Sequence, residues 1–519
     1  MKRNFWVLLC FLVFVDKLLF AQLQSDDYVS VPDGMFMNPV MGGYWADPSV
    51  IRDGDDYYLT TSSHPLYPGM TIFHSTDLVN WTPISYVLDK YYGVVLAPDM
   101  IKYKDKYFIY FSVNARRDWN NPRDGNETYV TWAFRPEGPW SEPKKFNISP
   151  RLFDPGHLTD EKGNRWLYFA KGIVLKLTRD GLDVIGEPMG VYEGWKYPVD
   201  WIDQSFALEG PKFKKIGKYY FMLVAEGGSH GPPTSHMVVV ARSESPVGPW
   251  INSPYNPMVR TWKNSDRWWS KGHGTLVDTP KGDWYIIYHA YENGFYTLGR
   301  QVLIEPVEWT SDGWPVLKKG SNPEKAIRMP IPGKKQKLYV MDLSAFRIGL
   351  DWWFYHELDH NRYSVTDRIL TLKSEGTSPA NSHPLLFNAG VHAYSVEVEI
   401  ERNLSADAGL IAFYDETIYA GMGVKNGKLN YYSNGGEGLQ SSSVIIGERL
   451  FLKLHNDRNF ITMFYSLDGK TWIKAPWRTV DANSFNQNVY SKSQALMPGI
   501  YSAGKGEAKF KNVRYSIID

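Results

Sequence analysis

The sequence predicts an all-β protein: a five-bladed β-propeller followed by a C-terminal β-sandwich. Three observations carry this expectation. Five segments share one texture, a short polar or Gly/Pro-containing signature leading into a strand, a Gly- or Lys-containing turn and a second, aromatic strand. They start at Asp47 (DPSVIRDGDDYYLTT), Ala97 (APDMIKYKDKYFIYF), Asp154 (DPGHLTDEKGNRWLYFA), Glu209 (EGPKFKKIGKYYFMLV) and His273 (HGTLVDTPKGDWYIIYH). Beyond the Pro- and Lys-containing stretch 329–337 (MPIPGKKQK) the texture changes to short alternating or apolar runs. No long amphipathic helix stands out anywhere in the 519 residues.

The first element is expected to be a secretory signal at 1–21. Lys2 and Arg3 form a charged end, Phe5 to Val15 an apolar core, and Ala21 a small residue before a cleavage point at Gln22. An apolar core of about 11 residues is too short to span a bilayer. The single cysteine, Cys10, lies inside this segment, so the mature chain is expected to form no disulfide. Losing Lys2, Arg3, Lys17 and Asp16 takes the net charge from +1 to −1. A near-neutral chain without a basic run argues against a nucleic-acid partner.

The next element, 22–330, holds the five segments at intervals of 50, 57, 55 and 64 residues. Each reads as a β-hairpin. Repeats of this size cannot bury their faces alone, which points to a radial array. Equivalent positions in a propeller lie at equal radius, so Asp47, Asp154, Glu209 and His273, taken as one repeat position, are expected to converge on the axis. Such groups are seldom buried without partners. The last element, 338–519, carries runs such as Tyr394–Ile400, Leu410–Tyr414, Phe451–Leu454 and Phe460–Tyr465, with Ser466–Trp472 as a turn. About 180 residues of short strands indicate a β-sandwich.

Three carboxylates on one axis suit glycosidic bond cleavage. One carboxylic acid protonates the leaving oxygen, while one carboxylate activates water or attacks the sugar. A third acid nearby raises the proton donor's pKa. The 20 Trp, 34 Tyr and 25 Phe suit both sheet packing and sugar stacking.

The motifs Tyr44-Trp-Ala-Asp-Pro-Ser-Val50, Leu152-Phe-Asp-Pro155, Leu208-Glu-Gly-Pro211 and Gly272-His-Gly-Thr-Leu-Val277, in this order and spacing, resemble those of glycoside hydrolase family 43, five-bladed propeller enzymes acting on xylan and arabinan. Tyr67–Trp81 and the start of the tail, Leu350–His356, resemble the β-xylosidase and α-L-arabinofuranosidase branch with its appended concanavalin-like sandwich. The resemblance implies Asp47 as general base, Glu209 as general acid, and Asp154 as the residue that orients Glu209 and raises its pKa. It also implies inversion of configuration, with base and acid about 6.5–9.5 Å apart, and Arg300 as a substrate contact. Leu96 stands where many relatives carry a pocket-walling tryptophan, which leaves Trp45 and Trp119 as stacking candidates. His273 has two readings, a neighbour of a structural Ca²⁺ or a hydrogen-bonded, water-linked histidine; the chemistry itself requires no cofactor. Asp99, two residues past the repeat position, either lines the pocket or bonds a neighbouring backbone.

The function these readings imply is a secreted or periplasmic exo-acting glycosidase that releases terminal xylose or arabinofuranose from hemicellulose. Its partner is an oligo- or polysaccharide. Two alternatives stand beside it, an endo-arabinanase with an open groove and a non-catalytic carbohydrate-binding propeller. The sandwich is expected to cap the pocket; the other reading has it bind glycan through aromatics such as Trp352, Trp353 and Tyr431.

Overall fold

A computed structural model of the protein describes residues 31–114, 126–149, 151–337, 341–357, 359–437, 443–475, 479–490 and 492–518. The expected signal segment and Trp119 lie outside them. Among the described residues the chain forms five antiparallel sheets in succession, one small two-stranded sheet, and two eight-stranded sheets. The five successive sheets are the propeller and the two large ones the sandwich.

The innermost strands of the five blades are Ser49–Asp53, Val94–Tyr103, Gly156–Thr159, Leu208–Ile216 and Trp268–Asp278, and each pairs with the strand that follows it in sequence. The second strands are rich in apolar residues on both faces because both faces are covered. Along Lys106–Asn114, Tyr107, Ile109 and Phe111 point into the core shared with blade 1. Phe108 and Tyr110 alternate with them and point into the core shared with blade 3. Five such cores separate the blades.

The ring closes without a shared strand. Met35–Phe36 pairs with Ile327–Arg328 beside blade 5, and the Asn38 amide both donates to and accepts from the Ile304 backbone at 3.0 Å. Between blades 1 and 5, Arg52 pairs with Asp278 at 2.6 Å, and the Thr275 hydroxyl donates to the Pro48 carbonyl at 2.9 Å.

In the sandwich, alternation along Ala393–Arg402 sends Tyr394, Val396, Val398 and Ile400 into the core. The propeller lends this domain a strand: Leu66–Tyr67 pairs with Trp353–Tyr355 at the edge of one sandwich sheet. A separate apolar cluster containing Tyr44, Ala46, Trp353, Tyr355 and Phe413 joins the domains. Trp352, Trp353 and Tyr431 are only 0%, 4% and 7% exposed and serve these cores, so none of them offers a face to a glycan.

Candidate active site

Each inner strand carries, just before it or within it, a residue with left-handed backbone. Asp47, Ala97, Asp154 and His273 have φ of 58°, 42°, 55° and 51°, and in blade 4 the residue with this conformation is Gly210, at 59°. The left-handed region costs a non-glycine residue about 1–2 kcal/mol. From this position the side chains of Asp47, Asp154 and His273 come together in one buried cluster. Glu209 therefore does not occupy the repeat position assigned to it from sequence. Gly210-Pro211 matches Asp47-Pro48, Ala97-Pro98 and Asp154-Pro155, and Glu209 lies one residue earlier, in register with Leu96. A Cβ on Gly210 would stand 2.6 Å from Cε1 of His273. The imidazole of blade 5 occupies that space, and the carboxylate of blade 4 comes from the neighbouring residue.

The carboxylate of Asp47 is enclosed by donors. Nη1 of Arg300 donates to Oδ1 at 3.0 Å, and the Ser62 hydroxyl donates to Oδ2 at 2.5 Å. The Asp47 amide donates to Nδ1 of His289 at 2.9 Å. Burial opposes the charge, but Arg300 and His273 outweigh it and hold the carboxyl well below the usual range. Arg300 follows Gly299 at the start of Gln301–Trp309. Its Nη2 reaches the Tyr44 hydroxyl and Nε2 of His64, both at 3.3 Å. Burial, reinforced by Arg300, pushes His64 down to about 3, so it presents a neutral lone pair to the guanidinium.

His273 spans the other two acids. Its Nδ1 is 3.5 Å from Asp47 and its Nε2 is 3.6 Å from Glu209. Burial works against its charge, yet Asp47 and Glu209 prevail and raise its pKa. The rings of His236 and His289 stack against it at 5.7 and 5.3 Å. Asp154 is 6% exposed, and its backbone amide donates to the Ser112 hydroxyl oxygen at 2.9 Å. Burial, followed by the charge of Glu209, pushes its carboxyl up to about 7. The Glu209 side chain is 24% exposed; burial raises it, but the hydrogen bond and charge of His273 leave it below its ordinary value. Asp154 is thus raised and Glu209 lowered, the reverse of the direction expected from sequence. Asp47 and Glu209 are the two acids favoured as anions, and both face His273.

Other expected residues sort differently. Leu96 is half-buried, at the position in blade 2 that corresponds to Glu209 in blade 4. Trp45 is not a wall of this site: its indole donates to the Gly42 carbonyl at 2.9 Å, and its ring packs edge-on between Phe73 and Trp353. Asp99 lies one layer deeper, accepting from the His157 amide at 2.7 Å and pairing with Lys212 at 3.1 Å, so it locks blades together. Around His273 the possible metal ligands are Glu209 and His236. Two imidazoles and one carboxylate are not the six to eight oxygens that Ca²⁺ takes, and these residues do not fit it.

Sequence reading missed Tyr44, Ser62, His64, His236 and His289: Tyr44 and His289 stand inside the quoted segments but away from the aligned repeat position, and Ser62, His64 and His236 lie outside those segments. It also missed the residues by which the sandwich closes the mouth. Gln487, on the short helix Gln487–Tyr490, bonds both Tyr291 and His230, and the Leu496 amide donates to the Thr297 carbonyl at 2.8 Å. Together Asp47, Asp154, Glu209, His273 and Arg300 form a buried cluster of acids and bases, with the Glu209 side chain its part-exposed member.

Comparison with known proteins agrees with this geometry. The model of glycosyl hydrolases family 43 matches residues 36–315, and that of the beta xylosidase C-terminal concanavalin A-like domain matches 342–516. The chain is 29% identical over 420 residues to a non-reducing end alpha-L-arabinofuranosidase of Bacteroides ovatus, covering 75% of each protein. It is 26% identical over 490 residues to a putative beta-xylosidase of Xylanibacter ruminicola, covering 88% of this chain and 85% of that one. The crystal structure of the GH43 protein BlXynB from Bacillus licheniformis superposes with a TM-score of 0.81 at 27% identity, over 93% of this chain and all of that one.

Proposed function

Because the chain belongs to glycosyl hydrolases family 43 and is a glycosidase, we propose that it removes terminal xylose or arabinofuranose from hemicellulose with inversion at the anomeric carbon. The observation that carries this reading is the position of His273 between Asp47 and Glu209. One imidazole, with an oxygen at 3.5 Å on one side and 3.6 Å on the other, keeps the carboxylates apart. That supports room for a water beside the sugar, as inverting enzymes require with acids about 6.5–9.5 Å apart.

Asp47, favoured as the anion and aimed by Arg300 and Ser62, takes a proton from that water as it attacks the anomeric carbon. Glu209 gives a proton to the leaving oxygen as the glycosidic bond breaks. Asp154 is the proton reserve. A sugar entering the pocket displaces the water around the part-exposed Glu209, and this desolvation raises its pKa so that the shared proton moves onto it. The sandwich strap at Gln487 supports removal of end units rather than internal cleavage. The basic, apolar and small-residue pattern of 1–21 supports export to the periplasm or medium. Among the described residues no helix is long and apolar enough to cross a membrane.

The test is hydrolysis of 4-nitrophenyl β-D-xylopyranoside and 4-nitrophenyl α-L-arabinofuranoside side by side, with Asp47→Ala as control. Activity on at least one that disappears in the variant is expected. Unchanged hydrolysis by Asp47→Ala would remove the base from the account.

A further inference from the structure

An exposed row of aromatic side chains begins beside the proposed acid and leads away from the pocket. Phe206 precedes Glu209 by three residues, a span of at most about 10 Å of extended chain. From Phe206 the ring centroids step 5.9 Å to Tyr197, 6.3 Å to Trp201 and 5.8 Å to Trp262. The row is open to solvent: Phe206 is 49% and Trp262 60% exposed, and Ile202 and Val199 beside them are 68% and 103% exposed. Soluble proteins seldom leave so many large apolar groups together at the surface without a binding purpose.

The row is also anchored to the pocket. The side-chain oxygen of Gln204 accepts from the His230 amide at 2.8 Å, and the Gln204 amide donates to the Ser235 hydroxyl oxygen at 2.8 Å. The loop carrying His230 and Ser235 continues directly to His236 of the axial stack. Arg260 lies 3.4 Å from the ring centroid of Trp201, and its Nε donates to the Thr234 carbonyl at 3.1 Å, which holds that indole in place.

We propose that Phe206, Tyr197, Trp201 and Trp262 form a shelf for the pyranose backbone of the polysaccharide on the leaving-group side of the bond cleaved. The side follows from Glu209: the acid protonates the leaving oxygen, so a surface that starts at the acid runs under what departs. The ligand class follows from the surface: pyranose rings carry flat C–H faces that pack on aromatic rings, and their hydroxyls remain in water, within reach of Lys196 and Arg260, which lie over Phe206 and Trp262. The inference rests on the reading of Glu209 as the acid.

The test has two arms. In the full-length Glu209→Ala protein, migration through native gels containing soluble arabinoxylan reads binding without turnover. The expected result is retardation that Trp262→Ala largely abolishes and Trp262→Phe retains. In the active protein, Trp262→Ala is expected to lower the ratio of kcat/KM on xylo-oligosaccharide to kcat/KM on the aryl glycoside about tenfold, equivalent to about 1.4 kcal/mol. The aryl glycoside has no sugar to place on the shelf. Equal retardation and an equal ratio in Trp262→Ala would overturn the proposal. So would a dimer in sedimentation that Trp262→Ala dissolves, since the shelf would then be a contact between copies. Trp262-dependent retardation by a protein that hydrolyses nothing would uphold the shelf and sink the catalytic reading instead.

Discussion

Asp47 and Asp154 stand at equivalent backbone positions with the same left-handed φ, yet their carboxyls are driven in opposite directions. Arg300 and Ser62 donate to the first; burial and the nearby charge of Glu209 act on the second. Replacing Arg300 with Met should leave Asp47 buried without its main partner. Loss of about 10²–10³ in kcat is expected, as for other deleted active-site donors, together with an acidic limb of the pH profile that moves up towards ordinary carboxylate values; kinetics from pH 3 to 7 checks both. Asp154 has its folded pKa raised to about 7 from an ordinary 3.8. A group raised in this way favours the fold below the unfolded value, and that contribution is lost as pH rises through the folded value. Activity of the native protein should accordingly fall as pH passes about 7 and the shared proton leaves. Calorimetry of Asp154→Asn should show a gain in Tm over the native chain that is larger at pH 8 than at pH 5. The identities of both acids were legible from their Asp-Pro contexts. Their opposite charge states were not, because these depend on Arg300, 253 residues from Asp47 in sequence, and on depths of burial that no local pattern records.

At the scale of the strand, the geometry of the left-handed residue decides what each blade contributes to the axis. Three blades present an ionisable side chain from the left-handed residue itself, blade 2 presents Ala97, and blade 4 uses glycine there and moves its carboxylate back by one. Sequence reading aligned Glu209 with Asp47 because it matched charge to charge. Matching the prolines at 48, 98, 155 and 211 would have aligned Gly210 and exposed the offset. Gly210→Ala tests this local geometry. Alanine at φ 59° is strained by about 1–2 kcal/mol, and its Cβ would force the His273 ring aside. Displacing a reacting group by about 1 Å can cost 10² in rate. A fall of that order in kcat, with circular dichroism unchanged and only a small drop in Tm, is the expected result. The hairpins themselves were legible because their second strands are apolar on both faces, a texture that only a strand packed between two cores requires.

Over the whole molecule, the pocket belongs to both domains and to the closure of the ring. The Asp47–Arg300 pair lies across the seam between blades 1 and 5, where no strand is shared, so the same contacts that close the propeller also orient the base. The sandwich is joined to the propeller by Leu66–Tyr67 and by the apolar cluster around Trp353, and it closes the mouth through Gln487. Two domains were legible from the change of texture after 329–337. The seam between them was not, since its members are scattered through loops, and this is why Trp45, which packs in that seam, read from sequence as a wall of the sugar site. The most direct test of the account is the configuration of the first sugar released, followed by proton NMR before mutarotation, from whichever of the two aryl glycosides is cleaved. A base and an acid held apart by His273, with water attacking from the side of Asp47, predict a sugar whose anomeric configuration is opposite to that of the bond broken. A first product of retained configuration would mean that a carboxylate had attacked the sugar itself, and would contradict the roles assigned to Asp47, Glu209 and the imidazole between them.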